Sequence, residues 1–219
     1  MAIRRIQRVT EAQSSPARVY AEKILAKLQE EMSTMYKFQF RLVGSAKYNT
    51  ILTDNNGWFD LDYQILLTSN SHMYKENKLS NATQIKSDFF YWFNRKFSTN
   101  QNFKVENSTT AITLRNISGK YSIDFVIIRL YPQNNEIIRR NNQKNVARTE
   151  YTWNQLSSRH NDAYAFFNNL SGNEKNELIE NYILPRKADE KRKSPSDPTF
   201  KTSTDIFIEE VINYAHRIK

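Results

Sequence analysis

Three aspartates in apolar surroundings are the residues whose types and spacing could do chemistry. Asp60 and Asp62 lie in the run Phe59-Asp60-Leu61-Asp62-Tyr63, and Asp124 is the single charge in the run 121–128. Residues two apart in a strand point to the same face, so Asp60 and Asp62 project together. A carboxylate in such a run is costly to bury unless it is paired or binds a metal. Oxygen-only ligands of this kind suit Mg²⁺ or Mn²⁺.

Gly44 and Ser45 follow directly after the alternating stretch Phe38–Val43, which is predicted to be the first strand. Glycine has no Cβ, so backbone N–H groups there can approach a phosphate closely, and the serine hydroxyl can bond a phosphate oxygen. Lys47 lies within reach of the same ligand. The pattern therefore predicts a phosphate-binding turn, followed by a short helix over 46–52.

The order of these motifs resembles the polymerase-beta-like nucleotidyltransferase superfamily: Gly-Ser, then Asp-x-Asp, then a lone aspartate in a later strand. The long interval from Ser45 to Asp60 resembles the branch that contains cyclic GMP-AMP synthase, oligoadenylate synthetase and the bacterial CD-NTases. The resemblance covers roughly residues 16–131. It implies that Gly44 and Ser45 bind the phosphates of an NTP substrate. It also implies that Asp60, Asp62 and Asp124 are catalytic and hold two Mg²⁺ (or Mn²⁺) ions.

The charge cluster Arg186–Lys193 has two interpretations. Such a run is usually a solvated face. In the superfamily that the chain resembles, however, helical elements after the core bring lysines toward the triphosphate. The resemblance therefore makes Lys187, Lys191 and Lys193 candidates for nucleotide binding.

Composition sets limits on the class of protein. The 219 residues include 32 Lys plus Arg and 23 Asp plus Glu, a formal net charge of +9, which favours polyanions such as nucleotides or nucleic acid. There is no cysteine, which excludes disulfides and thiolate chemistry, and the three histidines lie too far apart in sequence for a zinc site. No apolar run reaches the length of a membrane span and no signal peptide is recognisable, so we expect a cytoplasmic protein with no membrane partner.

The predicted fold is α+β: a nucleotidyltransferase fold with a mixed sheet packed against helices, plus a small C-terminal helical part. We predict a mobile basic lead over 1–14, a catalytic core over 15–131, and a helical region over 132–219. The core is predicted to open with a helix at Ser15-Pro16 and to contain strands near 38–43, 58–68, 103–107, 109–115 and 121–130, with a helix after Asn81. The C-terminal region is predicted to hold a polar loop over 134–148 and helices over 157–170 and 174–184. Pro185 is expected to stop the second of these, and a last helix follows Thr202.

Three functions remain open at this point. The favoured one is NMP transfer from NTP to a hydroxyl of another nucleotide, which gives a cyclic or linear signalling oligonucleotide. The second is NMP transfer to RNA or to a protein hydroxyl, as small relatives do in toxin–antitoxin and antiviral (phage) defence settings. The third is a non-catalytic nucleotide- or RNA-binding module. The sequence leaves the base, the acceptor and the oligomeric state open.

Overall fold

The secondary structure follows the predicted order through the first half of the chain. The computed structural model describes residues 6–54, 56–68, 81–130, 135–142, 150–156, 159–194 and 196–218. The strands are β1 Phe38–Val43, β2 Phe59–Leu67, β3 Phe103–Asn107, β4 Ala111–Asn116, β5 Tyr121–Arg129, β6 Glu136–Arg140 and β7 Tyr151–Gln155. The helices are α1 Glu11–Glu31, α2 Gly44–Lys47, α3 Ala82–Phe97, α4 Arg159–Asn169, α5 Gly172–Leu178, α6 Leu184–Glu190 and α7 Ser203–Arg217, with a π-helical segment, Ile179–Ile183, between α5 and α6.

The chain divides into two compact units. The described residues of Ala12–Val43 and Asp60–Leu156 form the first, which we call the sheet unit. Those of Met1–Glu11, Gly44–Phe59 and Ser157–Lys219 form the second, which we call the helical unit.

One seven-stranded sheet organises the sheet unit. Its strands lie in the order β1-β2-β5-β4-β3, while β6 pairs with β5 and with β7. The β1–β2, β3–β4, β4–β5, β5–β6 and β6–β7 pairs are antiparallel. The predicted α+β class is confirmed.

Alternation in β2 and β5 gives the sheet one buried face. Leu61, Tyr63 and Phe125 are almost completely buried. Helix α3 packs there, because its Phe93 ring stacks on Phe125 with 4.6 Å between centroids. Helix α1 covers the same face, since the Tyr63 hydroxyl donates to the Arg18 carbonyl at 3.4 Å. Residues at alternate positions of β2 and β5 therefore lie on the opposite face.

The helical unit has its own apolar cluster. Buried side chains of α4, α5, the π-helical segment, α6 and α7 pack together with Leu52. Helix α7 begins where predicted, because the Thr202 side chain and the Asp205 carboxylate form a capping box. Within the described part of the chain, every helix is too short or too polar to span a membrane. The cytoplasmic location stays a prediction.

The structure differs from the sequence-based boundaries at both ends of the predicted core. Helix α1 begins at Glu11 and contains Pro16, a position near the N-terminus where proline costs one intrahelical hydrogen bond. The expectation of a helical region from residue 132 is wrong for Glu136–Arg140 and Tyr151–Gln155, which are strands of the sheet unit. Pro185 does not stop a helix; it lies in the first turn of α6, where its missing N–H is tolerated.

Candidate functional site

The three predicted catalytic aspartates share one face of the sheet. Strands β2 and β5 are neighbours, and the Ser122 hydroxyl of β5 donates a hydrogen bond to the Asp60 carboxylate of β2. Ser122 and Asp124 are two apart, as are Asp60 and Asp62, so all four side chains point away from the buried face. Asp60 is exposed, while Asp62 and Asp124 are partly buried. Their catalytic role stays a prediction; their common face is a property of the fold.

Hydroxyl groups compensate part of the negative charge on this face. Ser122 binds Asp60, and the Thr113 hydroxyl of β4 donates to Asp124 at 2.5 Å. Thr113 is the register partner of Asp124, so its side chain lies on the same face. Both donors are neutral, so they do not cancel the charge of the carboxylates.

The pKa of Asp124 is raised in the folded chain. Burial is the main cause that raises the pKa of Asp124 above its ordinary value, and the negative charge of Asp60 raises it further. The hydrogen bond from Thr113 and the positive charge of Lys86 act in the opposite direction. Asp60 and Asp124 are thus close enough to repel each other, which a bound cation would relieve.

The donor set fits Mg²⁺ or Mn²⁺ only as part of a shared coordination sphere. Among the described residues, no group of three or more His, Cys, Asp or Glu side chains is arranged to hold an ion alone. Mg²⁺ commonly binds through one or two carboxylates together with substrate phosphate oxygens and water. Asp60 and Asp62 offer carboxylate oxygens on an accessible face, which suits an ion that arrives with a nucleotide.

A buried lysine near the acids was missed in the sequence. Lys86 of α3 is fully buried, and its amine donates to the Thr110 carbonyl at 2.8 Å. Burial is the main cause that lowers the pKa of Lys86 to about 7, with the charge of Arg140 second and Asp124 opposing. The signal was available: Lys86 stands three and seven residues before Phe89 and Phe93, so it falls within the apolar stripe of α3.

The predicted phosphate-binding turn belongs to the helical unit. Gly44 has φ 64°, a left-handed conformation that glycine adopts without strain, and it begins the four-residue helix α2. The prediction of a helix over 46–52 is therefore wrong in its bounds, because the helix spans Gly44–Lys47. The Ser45 carbonyl accepts a hydrogen bond from the Thr50 backbone N–H at 2.9 Å, which folds the following segment back on the turn.

Lys187 fixes this turn from the far end of the sequence. Its side chain is buried, and its amine donates to the Ser45 hydroxyl at 2.7 Å, to the Thr50 carbonyl at 2.7 Å and to the Thr50 hydroxyl at 3.2 Å. Of the lysines in the charge cluster, it is the one whose amine bonds the Ser45 hydroxyl. The Lys187 amine therefore holds the hydroxyl of Ser45, the predicted phosphate ligand, in its position.

The other predicted lysines occupy different environments. The Lys191 amine donates to the Leu52 carbonyl at 2.6 Å. The Lys193 amine forms an ion pair with Glu190 at 3.0 Å, and exposed Lys47 lies 5.3 Å from the ring centroid of Tyr48. Nucleotide binding by these three lysines stays a prediction.

Comparison with known proteins places the fold. No protein-family model and no curated protein matches the chain. The GTP-bound structure of Vibrio cholerae DncV matches with a TM-score of 0.56 and 14% identity, over 82% of this chain and 45% of that chain. The CdnE c-di-GMP synthase of Capnocytophaga granulosa matches with a TM-score of 0.56 and 18% identity, over 94% of this chain and 60% of that chain. The CD-NTase CdnG of Bradyrhizobium diazoefficiens, in complex with GTP, matches with a TM-score of 0.51 and 14% identity, over 96% of this chain and 59% of that chain.

These similarities confirm the predicted fold: the chain has the nucleotidyltransferase fold of the CD-NTases. At this identity they show the fold alone. The chain spans 45% to 60% of the length of these three structures.

Replacement of Asp124 by asparagine should stabilise the metal-free protein at neutral pH. The folded chain raises the pKa of Asp124, so between its ordinary and its raised value the native state binds more protons than the unfolded state. Stability is therefore lost as pH rises through that window, and Asp124→Asn removes the loss. In EDTA, we expect the variant to be more stable than wild type at about pH 7.5, with the difference shrinking below the ordinary Asp pKa of about 4.

Urea unfolding at several pH values measures this difference. The control is Asp189→Asn, an exposed carboxylate paired with Arg192, for which no such trend is expected. A variant less stable than wild type at neutral pH would contradict the description of a repelling acid face.

Replacement of Lys187 by methionine should destabilise the protein. The variant leaves the Ser45 hydroxyl and the Thr50 carbonyl without their donor, at a cost of about 1–3 kcal/mol. Lys193→Met removes a partly exposed ion pair and should cost less than about 1 kcal/mol. Urea unfolding of both variants compares the two costs. Equal stability of Lys187→Met and wild type would show that the lysine does not hold the turn.

Proposed function

We propose that the chain is a metal-dependent nucleotidyltransferase that moves an NMP from an NTP to a hydroxyl of another nucleotide. The observation that carries the proposal is the set of three carboxylates on one face of β2 and β5, within the fold of the CD-NTases. Burial, and to a smaller extent the charge of Asp60, disfavour the ionised form of Asp124 in the metal-free chain, and a structural role alone gives no reason to keep a carboxylate there.

The three aspartates, the Gly-Ser turn and Lys187 each have a role in the proposed reaction. Asp60, Asp62 and Asp124 would hold two Mg²⁺ ions, which supply charge neutralisation at the phosphates and acidify the acceptor hydroxyl. Gly44 and Ser45 would bind the β- and γ-phosphates, with Lys187 holding the Ser45 hydroxyl in place.

The proposed step is a displacement at the α-phosphorus of the NTP. The bond between the acceptor oxygen and the α-phosphorus forms, the bond to the bridging oxygen breaks, and pyrophosphate leaves. Asp124 would accept the proton of the acceptor hydroxyl, which the bound ion would acidify.

Similar structures support a nucleotide as acceptor. One DncV structure contains the linear intermediate 5′ pppA(3′,5′)pG, with a TM-score of 0.56, 14% identity, and coverage of 82% of this chain and 47% of that chain. We extend this acceptor to the present chain as part of the proposal. Such an enzyme would make signalling oligonucleotides. We include in the proposal that these oligonucleotides serve as signals in antiviral defence.

Incubation with all four NTPs tests the proposal. The purified protein is supplied with Mg²⁺, and separately with Mn²⁺, and the products are analysed by mass spectrometry. Wild type should yield a dinucleotide or longer oligonucleotide, and Asp60→Asn/Asp62→Asn should yield none, since the ions lose their ligands. Asp189→Asn serves as the control and should match wild type.

The outcomes distinguish the three functions. A product made equally by the double variant would contradict the role of the acids. Transfer of labelled NMP to added RNA or protein, with no free oligonucleotide, would select the second function. Metal-independent RNA binding with no transfer to any acceptor would select the binding module.

A further inference from the structure

A hollow at the β6–β7 end of the sheet unit has neither the predicted catalytic aspartates nor the Gly-Ser turn among its lining residues. It is formed by the β6–β7 hairpin and the residues before β4, and its volume is about 540 Å³. This is within the range of roughly 300–1,000 Å³ that small-molecule sites occupy. Two of its lining residues are Arg139 and Arg140, and all the others are asparagine or threonine. A positively charged hollow without a carboxylate favours an anion.

One face of the hairpin supplies the polar groups. Arg139 and Thr152 are register partners, so their side chains share a face, and Asn154 lies two residues along on the same face. Within the described residues, the Arg139 guanidinium has neither a carboxylate partner nor a hydrogen bond. Its side chain is exposed at the hollow rather than used for packing.

The hydroxyl of Thr152 already accepts one hydrogen bond. The Asn154 side-chain amide donates to the Thr152 hydroxyl oxygen at 3.2 Å and to the Thr152 carbonyl at 3.1 Å. The hydroxyl oxygen is thus already an acceptor, and among the described residues its O–H meets no acceptor. Arg139 and Thr152 therefore offer donors on the same face without competing acceptors.

Arg140 is the second arginine of the lining, and its side chain lies on the face of the hairpin opposite to that of Arg139, near the buried Lys86. Arg140 donates to the Asn107 carbonyl at 2.9 Å and to the Tyr151 hydroxyl at 3.4 Å, while its Nε–H is buried with no partner among the described residues. Lys86 lies 5.6 Å from the ring centroid of Tyr151, and Arg140 lies 5.8 Å from it. Burial is the main cause that lowers the pKa of Lys86, the charge of Arg140 lowers it further, and the charge of Asp124 opposes both.

We propose that this hollow binds the phosphate of a nucleotide, either free or within an RNA strand. Arg139 would form a charge-assisted bond to the phosphate, the Thr152 hydroxyl would donate a second, and the asparagine amides would face the base or sugar. The site does not depend on the proposed transfer reaction, because it needs neither the aspartates nor a metal.

Fluorescence anisotropy with a labelled single-stranded RNA hexamer tests the site. The measurement is made in EDTA with the full chain, so that metal-dependent binding at the acid face is absent. Arg139→Gln should weaken binding about fivefold or more, as the loss of one charge-assisted hydrogen bond predicts. Arg95→Gln, an exposed arginine of the same unit that carries the same charge, should bind within about twofold of wild type.

Two further arms identify the source of the phosphate. Displacement of the RNA by AMP would show a site for free nucleotides, whereas displacement by unlabelled RNA and not by AMP would show a site for a phosphate within a strand. Both results support the proposal.

Equal weakening by Arg139→Gln and Arg95→Gln would overturn it in favour of diffuse charge, as would absence of binding by wild type. Asp60→Asn/Asp62→Asn should lose transfer and keep this binding, so the failure of one proposal is distinguishable from the failure of the other.

Discussion

The placement of three carboxylates on one face of a sheet, with Asp124 partly buried there, is the constraint on which the rest of this structure depends. Asp60 and Asp124 are near enough for the charge of one to raise the pKa of the other, and the groups bonded to them, Ser122 and Thr113, are neutral. The opposite face of the same strands is buried under α1 and α3. A slip of one residue would therefore turn the acids into the core, so the packing that fixes the register also keeps the carboxylates together.

The helical unit solves a different problem, which is to hold a glycine-serine turn in one conformation. Gly44 supplies the left-handed backbone, and the buried amine of Lys187 bonds both Ser45 and Thr50. The buried amine is tolerated there because these acceptors satisfy its N–H donors. The same contacts explain why a lysine far along the sequence matters to a turn near its beginning.

Much of the sheet unit was predictable because its residues alternate strongly. The strands that carry the acids and the helix after Asn81 follow from apolar periodicity, and the Asn81 side chain caps that helix. The β6–β7 hairpin was missed because Glu136–Arg140 is short and lies in a polar, basic stretch. In Tyr151–Gln155, however, aromatic and polar residues do alternate, and that signal was available.

The candidate site was predictable in part, for a physical reason. Strand alternation places Asp60, Asp62 and Asp124, but no local pattern shows which lysine of a charge cluster meets a distant turn. That choice depends on helix packing, which brought Lys187 and not Lys193 to Ser45. Lys86 was overlooked because the apolar residues around it in α3 are explained by core packing alone.

Electron paramagnetic resonance of Mn²⁺ tests the central claim most directly. The ion is titrated into the protein with a non-hydrolysable NTP, with nucleotide alone as background and Asp189→Asn as the matched control. If the acid face holds the ion, wild type and the control should bind Mn²⁺ at least about tenfold more tightly than Asp60→Asn/Asp62→Asn. Equal binding by the double variant, with its fold intact, would contradict the assignment of a metal site to these carboxylates.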